Sequence, residues 1–203
     1  AEPFILGTND VAEEEGRRGV IWSKMLPFVL LIWALTGAFY PAVDLCVGEK
    51  ERGTLETLLS SPAERREIVW GKLLTIMVFS MITSLLNLLS MSLTATFIVR
   101  QMQQIGPLAL RLDLGLPPLA AMGWLLLALV PISALFSALS LALAAFARST
   151  KEGQYYLMPL LLITMPLMML PMLPAAELDL GNSLIPVTGL MFLLRALMEG
   201  EYT

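Results

Sequence analysis

The chain of 203 residues contains no histidine and only one cysteine, Cys46. Without histidine, histidine-based acid–base catalysis and most zinc enzymes are excluded, and one cysteine cannot form an internal disulfide. No Gly-x-x-x-x-Gly-Lys-Ser/Thr phosphate loop occurs, so this chain is not expected to hydrolyse ATP itself. Only 15% of the residues are charged, against about 25% in an average soluble domain. The net charge of −4 also argues against nucleic-acid binding.

Apolar residues make up 57% of the chain, and the mean hydropathy is +0.74. The charges are segregated, which leaves four long runs without a charged residue. Each run reaches the roughly 17–25 residues that a membrane-spanning helix needs, and a backbone in hydrocarbon must be helical. The sequence therefore predicts an all-α, polytopic transmembrane domain over residues 25–200, preceded by the end of an exterior domain over residues 1–24. The predicted spans cover residues 25–47, 73–99, 118–147 and 154–173.

The basic residues predict the orientation of these spans. The loop between the first two spans and the loop between the last two lie on one side and hold seven of the 13 Lys and Arg residues, close to the helix ends. Because basic residues collect in cytoplasmic loops, we place Glu49–Lys72 and Arg148–Glu152 in the cytoplasm. An apolar stretch over residues 184–199 is too short to span. It is predicted to be an exterior re-entrant helix, with the first half of a fifth span as the alternative.

The cytoplasmic segment 48–72 combines glycines, charges and a short amphipathic pattern. Gly48 and Gly53 bracket four charged residues and favour turns. Thr54 is predicted to cap a short helix whose leucines share one face at spacings of three and four. Ser61-Pro-Ala-Glu64 has the pattern of a capping box and predicts the start of the next helix. The leucine face is suited either to the bilayer surface or to the groove of a soluble partner.

The second predicted span carries a row of polar residues at spacings of three and four, which places them on one helix face. We expect Ser80 and Ser90 to hydrogen-bond between helices. An amide in mid-span is costly unless it is paired or hydrated, so packing and a transport path are equal alternatives for Asn87. Thr83 and Ser84 complete the candidate path.

Three further patterns are weaker. Ser133, Ser137 and Ser140 on the third span, with a parallel row of alanines, have the small-residue spacing that allows close helix approach. Asp44 is expected to mark the membrane interface. Glu13–Arg18 matches the EExxxR motif of intramembrane peptidases, but the chain lacks the histidine ligands, and we interpret this run as solvated.

Two runs resemble a known family. GEKERGTLETLLSSPAERREIVWGK, residues 48–72, resembles the intracellular loop of type-2 ABC-transporter permeases, most of all the branch related to the bacterial sodium-extrusion permease. SLIPVTGLMFLLRALMEGEY, residues 183–202, is similar to the exterior re-entrant segment of the same permeases. The resemblance covers nearly the whole chain. It implies a fragment with spans two to five of a six-span permease plus the re-entrant helix.

The resemblance also implies partners and a function. Helix Thr54–Ser60 is expected to contact a separate ATP-binding subunit, which binds ATP and magnesium, while this chain binds no cofactor. Two permease halves are expected to pair as a homodimer or heterodimer, surrounded by lipid in the bacterial inner membrane. The implied function is ATP-driven export of sodium or another substrate. The alternative is a non-transporting scaffold, or an accessory domain fused to an intramembrane enzyme. The predicted coupling residues are Gly48, Glu49, Lys50, Glu51, Arg52, Gly53, Thr54, Leu55, Glu56, Leu58 and Leu59.

Overall fold

The computed structural model describes residues 11–103, 119–170 and 186–199, and all regular secondary structure in these ranges is helical. This confirms the predicted all-α fold. A π-helical segment, Asp44–Gly48, joins the first two helices. The helices are α1 (Val11–Val43), α2 (Glu49–Glu51), α3 (Thr54–Leu59), α4 (Arg65–Gln103), α5 (Leu119–Phe146), α6 (Thr150–Met169) and α7 (Pro186–Glu199).

Three segments of the described chain are long and apolar enough to cross a membrane, namely Met25–Glu51, Arg65–Ile98 and Gly123–Phe146. They match the first three predicted spans. The fourth predicted span falls on α6, which has 20 residues, contains Pro159 and Pro166 and is not among these three segments. Its residues 171–173 lie outside the described ranges, so membrane crossing by α6 stays a prediction.

Helix α1 is the centre of the bundle and packs against α4, α5, α6 and α7. Its alanines Ala34, Ala38 and Ala42 recur every four residues and are completely buried. Side chains this small let neighbouring helix backbones come close in a membrane protein. Leucines on the other sides of α1, such as Leu31 and Leu35, are buried as well. Helix α1 is therefore enclosed by protein on most of its circumference.

Helix α5 carries both predicted rows of small residues, and the structure separates them. The serine row of Ser133, Ser137 and Ser140 is completely buried. The alanine row turns outward, because Ala138 and Ala142 are exposed. The serines thus provide the close packing that the spacing predicted, while the alanines leave a shallow surface on the other side of the helix.

Helix α7 starts at Pro186 and packs against α1, α5 and α6. Its Val187, Thr188 and Met191 are buried in the bundle. Fourteen residues extend about 21 Å at 1.5 Å per residue, which is less than the roughly 30 Å of a hydrocarbon core. The length fits the predicted re-entrant helix, whose exterior location stays a prediction. Residues 184 and 185 of that prediction lie outside the described ranges.

Candidate functional site

The turn between α2 and α3 depends on one glycine. Gly53 has φ +71°, in the left-handed region that other residues avoid. Because Gly53 reverses the chain, Thr54 is already the first residue of α3 and its hydroxyl donates to the Glu49 carbonyl at 3.3 Å. The prediction that Thr54 caps α3 is therefore wrong. At Gly48 a Cβ would lie 2.8 Å from Oδ1 of Asp44, but this carboxylate is exposed and can rotate away, so the position restricts the residue type less than Gly53 does.

Two charged residues of α2 bind the turn between α5 and α6. Lys50 Nζ donates to the carbonyl oxygens of Ala145, at 2.7 Å, and Ala147, at 2.9 Å. The Ala145 carbonyl belongs to the last turn of α5 and that of Ala147 follows directly after it, at the end where the helix dipole is negative and the oxygens lack intrahelical partners. The Glu51 carboxylate accepts from both the backbone N–H and the hydroxyl of Thr150, each at 2.6 Å, at the positive start of α6. The positively charged Lys50 thus binds the negative end of α5, and the negatively charged Glu51 binds the positive start of α6.

A third contact joins the same segment to α4. Lys72 forms an ion pair with Glu49. Its Nζ also donates to the Leu45 carbonyl at 2.6 Å, in the π-helical segment. Both partners are largely shielded, with 14% of the Lys72 and 24% of the Glu49 side chain accessible. This contact therefore ties the base of α4 to the end of the first span.

The remaining charge, Arg52, pairs with Asp44 at 3.1 Å. Both side chains are well exposed, so the pair contributes little, about 0–1 kcal/mol. Asp44 thus lies exposed at the end of the bundle that carries the charged contacts, and its location at the membrane interface stays a prediction. We refer to Glu49, Lys50, Glu51 and Lys72, with the groups they bind, as the clamp.

The structure splits the predicted leucine face of α3. Leu55 and Leu59 border a cleft formed with α4 and α5, and Leu58 is half-buried outside it. Successive residues of an α-helix are rotated by 100°, so Thr57 is the residue of α3 that points away from this cleft. Glu56 and Leu58 flank Thr57. Two of the three predicted partner-binding leucines therefore border this cleft, and Leu59 remains largely exposed there, with 53% of its surface accessible.

The polar row of α4 lies along its crossing with α1. Ser80 donates to the Ala34 carbonyl of α1 at 2.6 Å, which confirms its predicted interhelical bond. Ser84 is buried, and its bond in the described part of the chain lies within α4, to the Ser80 carbonyl at 2.9 Å. Thr83 donates to the Phe79 carbonyl at 2.8 Å and packs against Gly37 of α1. Thr83 and Ser84 thus belong to the helix contact.

Asn87 occupies a different position, one turn further along α4. Its Nδ2 donates to the Thr83 carbonyl at 2.8 Å, so the amide is partly satisfied within its own helix. The side chain also borders a groove of about 420 Å³ between α1 and α4, whose walls include Trp33 and Thr94. Ser90 is exposed in the same groove and makes no bond to α1 among the described residues. Of the three candidate path residues, Asn87 alone lines this groove.

The chain matches the model of the ABC-2 family transporter protein over residues 8–198. It belongs to the ABC-2 transporter family. Its sequence is 26% identical over 200 residues to the ABC transporter permease protein NatB of Bacillus subtilis (strain 168). The match takes in 98% of this chain and 50% of the relative, so the chain spans about half the length of that permease. No solved structure matches it.

The capping box predicted at Ser61–Glu64 does not form at the start of α4. Ser61 does not cap α4, because its hydroxyl donates to the Leu58 carbonyl at 2.7 Å and closes α3 instead. Helix α4 begins at Arg65, and Glu67 accepts from the Glu64 N–H at 3.1 Å. The predicted box at Ser61–Glu64 is therefore wrong.

A capping box forms instead at the start of α6. Ser149 accepts from the Glu152 N–H at 3.2 Å, and Glu152 accepts from the Arg148 N–H at 2.8 Å. The Tyr156 hydroxyl, followed by this backbone N–H, lowers the pKa of the Glu152 carboxyl. The Ser-x-x-Glu spacing at Ser149 was the signal that sequence reasoning missed, and it would have marked Thr150 as a helix start.

Two further features of the ABC-2 chain had no clear sequence signal. Gly153 of α6 packs against α1, where a Cβ would lie 3.3 Å from methyl groups of both Val43 and Val47. The π-helical turn that contains Val47 was likewise not predicted.

The EExxxR run lies within the helical backbone of α1, and among the described residues no cluster of His, Cys, Asp or Glu is arranged to hold a metal.

Proposed function

We propose that this ABC-2 chain is part of the permease of an ATP-driven exporter and that segment 48–72 couples it to an ATP-binding subunit. The observation that carries the proposal is the clamp. Glu49, Lys50 and Glu51 are consecutive, yet they contact α4, α5 and α6, respectively. A displacement of this segment would therefore act on every one of these helices at the same end of the bundle.

The connection to α1 makes this segment suited to transmit force. Helix α2 continues the first span through the π-helical segment, and Gly53 joins it to α3 by a single tight turn. No long flexible loop separates α3 from the spans. ATP-driven movement of the partner subunit against α3 would tilt α1 and α4, and would thereby switch the permease between inward and outward access.

The proposed contact surface is the outward side of α3, centred on Thr57 with Glu56 and Leu58 beside it. This assignment follows from the cleft, which occupies the side of Leu55 and Leu59. The leucines predicted to dock are thus divided between two tasks. Leu58 lies at the edge of the partner contact, while Leu55 and Leu59 border the cleft on the other side of α3.

The groove at Asn87 is the proposed transport path, or its wall toward a second permease half. It combines an amide and hydroxyl groups with apolar walls on α1 and α4. Sodium is the first substrate to test, because segment 48–72 resembles the loop of the sodium-extrusion branch. The proposed location is the bacterial inner membrane, with segment 48–72 in the cytoplasm.

The test replaces residues on the outward side of α3. Thr57→Arg should weaken co-purification of the ATP-binding subunit and lower permease-stimulated ATPase activity by more than tenfold, because a charge at the centre of an interface costs several kcal/mol. Leu58→Glu, at the edge of the contact, should change both in the same direction but less. Membrane insertion should remain normal.

The matched control is Arg66→Ala, an exposed change at the same end of the bundle but on α4. It should leave complex formation unchanged. Intact complexes and ATPase stimulation with both Leu58→Glu and Thr57→Arg would show that α3 does not carry the partner contact, and would contradict the proposed function.

A further inference from the structure

The cleft beside α3 has a volume of about 660 Å³. Ligand pockets usually measure roughly 300–1,000 Å³, so it is large enough for part of an amphiphile. Leu55 and Leu59 of α3 form one wall, Val69 of α4 the second, and Ala142 and Ala145 of α5 the third. The outward alanine row of α5 makes the third wall shallow and smooth. The space is therefore lined mainly by apolar groups.

The polar groups of this cleft are basic. Lys50, Arg65 and Lys72 border it, and no cleft-lining residue in the described part of the chain carries a carboxylate. Glu49 balances Lys72 from outside the lining. Lys50 is bonded to carbonyl oxygens, which are neutral, and Arg65 at the start of α4 is exposed. Two positive charges thus lie beside an apolar space, which favours an amphiphile with a negative head.

Exposed aromatic residues indicate the depth of the cleft in the membrane. Trp70 follows Val69 on α4, and Phe146 follows Ala145 on α5. Both are well exposed, as is Tyr155 near the start of α6, with 61%, 77% and 74% of their surfaces accessible. Trp and Tyr side chains concentrate at the boundary between hydrocarbon and headgroups. The cleft therefore opens at the level of the lipid phosphates.

We propose that this cleft is a binding site for one anionic phospholipid of the cytoplasmic leaflet. Arg65 and Lys50 attract the phosphate headgroup, and an acyl chain lies along Ala142 and Ala145. Basic pockets between transmembrane helices on the cytoplasmic side bind anionic headgroups by the same physics. The leaflet rests on the proposed orientation, whereas binding itself does not depend on the coupling function.

A protein segment is the competing occupant, since this chain spans half the length of its relative. The position favours a lipid, because the boundary between hydrocarbon and headgroups supplies both parts of the ligand together. A bound lipid would contact α3, α4 and α5 at once. It would therefore support α3 from the side opposite the proposed partner contact.

The experiment is native mass spectrometry of the full-length protein in detergent, titrated with dioleoyl phosphatidylglycerol or dioleoyl phosphatidylcholine. We expect one retained phosphatidylglycerol per chain and weaker retention of phosphatidylcholine. Arg65→Gln should lower the phosphatidylglycerol affinity about fivefold, the effect of one basic group near an anionic lipid. Ala142→Phe should fill the cleft and abolish retention.

Two matched controls make the result specific. Arg66→Gln removes the neighbouring charge, which does not border the cleft, and Leu139→Phe enlarges an exposed side chain of α5 outside it. Both should retain the lipid. Equal affinity for the two lipids, or unchanged retention in Arg65→Gln and Ala142→Phe, would overturn the proposal. So would photo-cross-linking from Leu59 to a polypeptide instead of to phosphatidylglycerol. None of these readouts involves ATPase activity, so the lipid site and the coupling function fail separately.

Discussion

Helices α1 and α4 have nearly the same mean hydropathy, 1.8 and 2.0 over their membrane-crossing segments, but very different surroundings. In the most apolar 18-residue stretch of the first span, 61% of the residues are buried within this chain, and in that of α4 only 22%. Exposed leucines such as Leu86 and Leu93 follow the outer side of α4. Hydropathy therefore predicts that both helices enter the membrane, but it does not predict which one the bundle encloses.

The difference has consequences for how each helix meets its neighbours. Helix α1 uses small residues where α4 crosses it, and Ser80 bonds directly to its backbone. The outer side of α4 instead offers large apolar side chains to lipid or to another subunit. The closely packed side of α4 is thus expected to be sensitive to added volume, and its outer side to be tolerant.

The largest effect is expected at Gly37, where α1 and α4 are in close contact. A Cβ there would lie 2.8 Å from Cβ of Thr83 and 3.0 Å from Cα of Ser80. Gly37→Ala forces backbone apart and should destabilise the fold by about 1–3 kcal/mol, as overpacking does. The measurement is the thermal unfolding midpoint of the purified protein in detergent.

The control for Gly37→Ala is Gly71→Ala on α4. A Cβ at Gly71 meets nothing within 4 Å, and the change should be neutral or stabilising by up to about 1 kcal/mol, because alanine favours a helix. Equal unfolding midpoints for the two variants would show that the contrast between the enclosed and open sides of these helices is wrong.

A smaller structural effect is expected at Asn87, where the crossing opens into the groove. Asn87→Leu removes a polar group from mid-span, so insertion and thermal stability should hold. If the groove is the transport path, substrate efflux from vesicles should change at constant expression. Thr83→Val, one turn away in the helix contact, is the control and should affect efflux less. Unchanged efflux in Asn87→Leu would assign Asn87 to packing.

Much of the helical framework was predictable from the sequence, because long runs without charged residues are typical of membrane helices. The first three spans follow from this pattern, and the charged loops place Lys50 and Arg148 at the same end, where the structure brings their segments together. The serine spacing on α5 also predicted its buried side correctly. These features are local or periodic, so each can be recognised within a single helix.

The predictions that were wrong or incomplete concern contacts that the pattern of a single helix does not contain. The sequence predicts turns around the charges of Glu49–Arg52, but it does not predict that Lys50 and Glu51 bind groups almost a hundred residues away. The spacing of residues along one helix does not indicate such pairs. The leucine pattern of α3 likewise predicts an apolar face, but it does not predict what lies beside that face, because the other walls of the cleft come from α4 and α5. The same capping pattern occurs at Ser61 and Ser149, but the Ser61 hydroxyl bonds to the Leu58 carbonyl at the end of α3, and only Ser149 caps the helix that follows it.

The most direct test of the clamp is Glu51→Gln, measured as permease-stimulated ATPase activity of the assembled transporter. The change weakens the bonds to Thr150 without altering the outward side of α3. The ATP-binding subunit should therefore still co-purify, while its stimulation falls severalfold. Glu64→Gln removes a charge from the same segment outside the clamp and should keep full stimulation. Unchanged ATPase stimulation in Glu51→Gln would contradict the account, because movement would then reach the helices without the clamp.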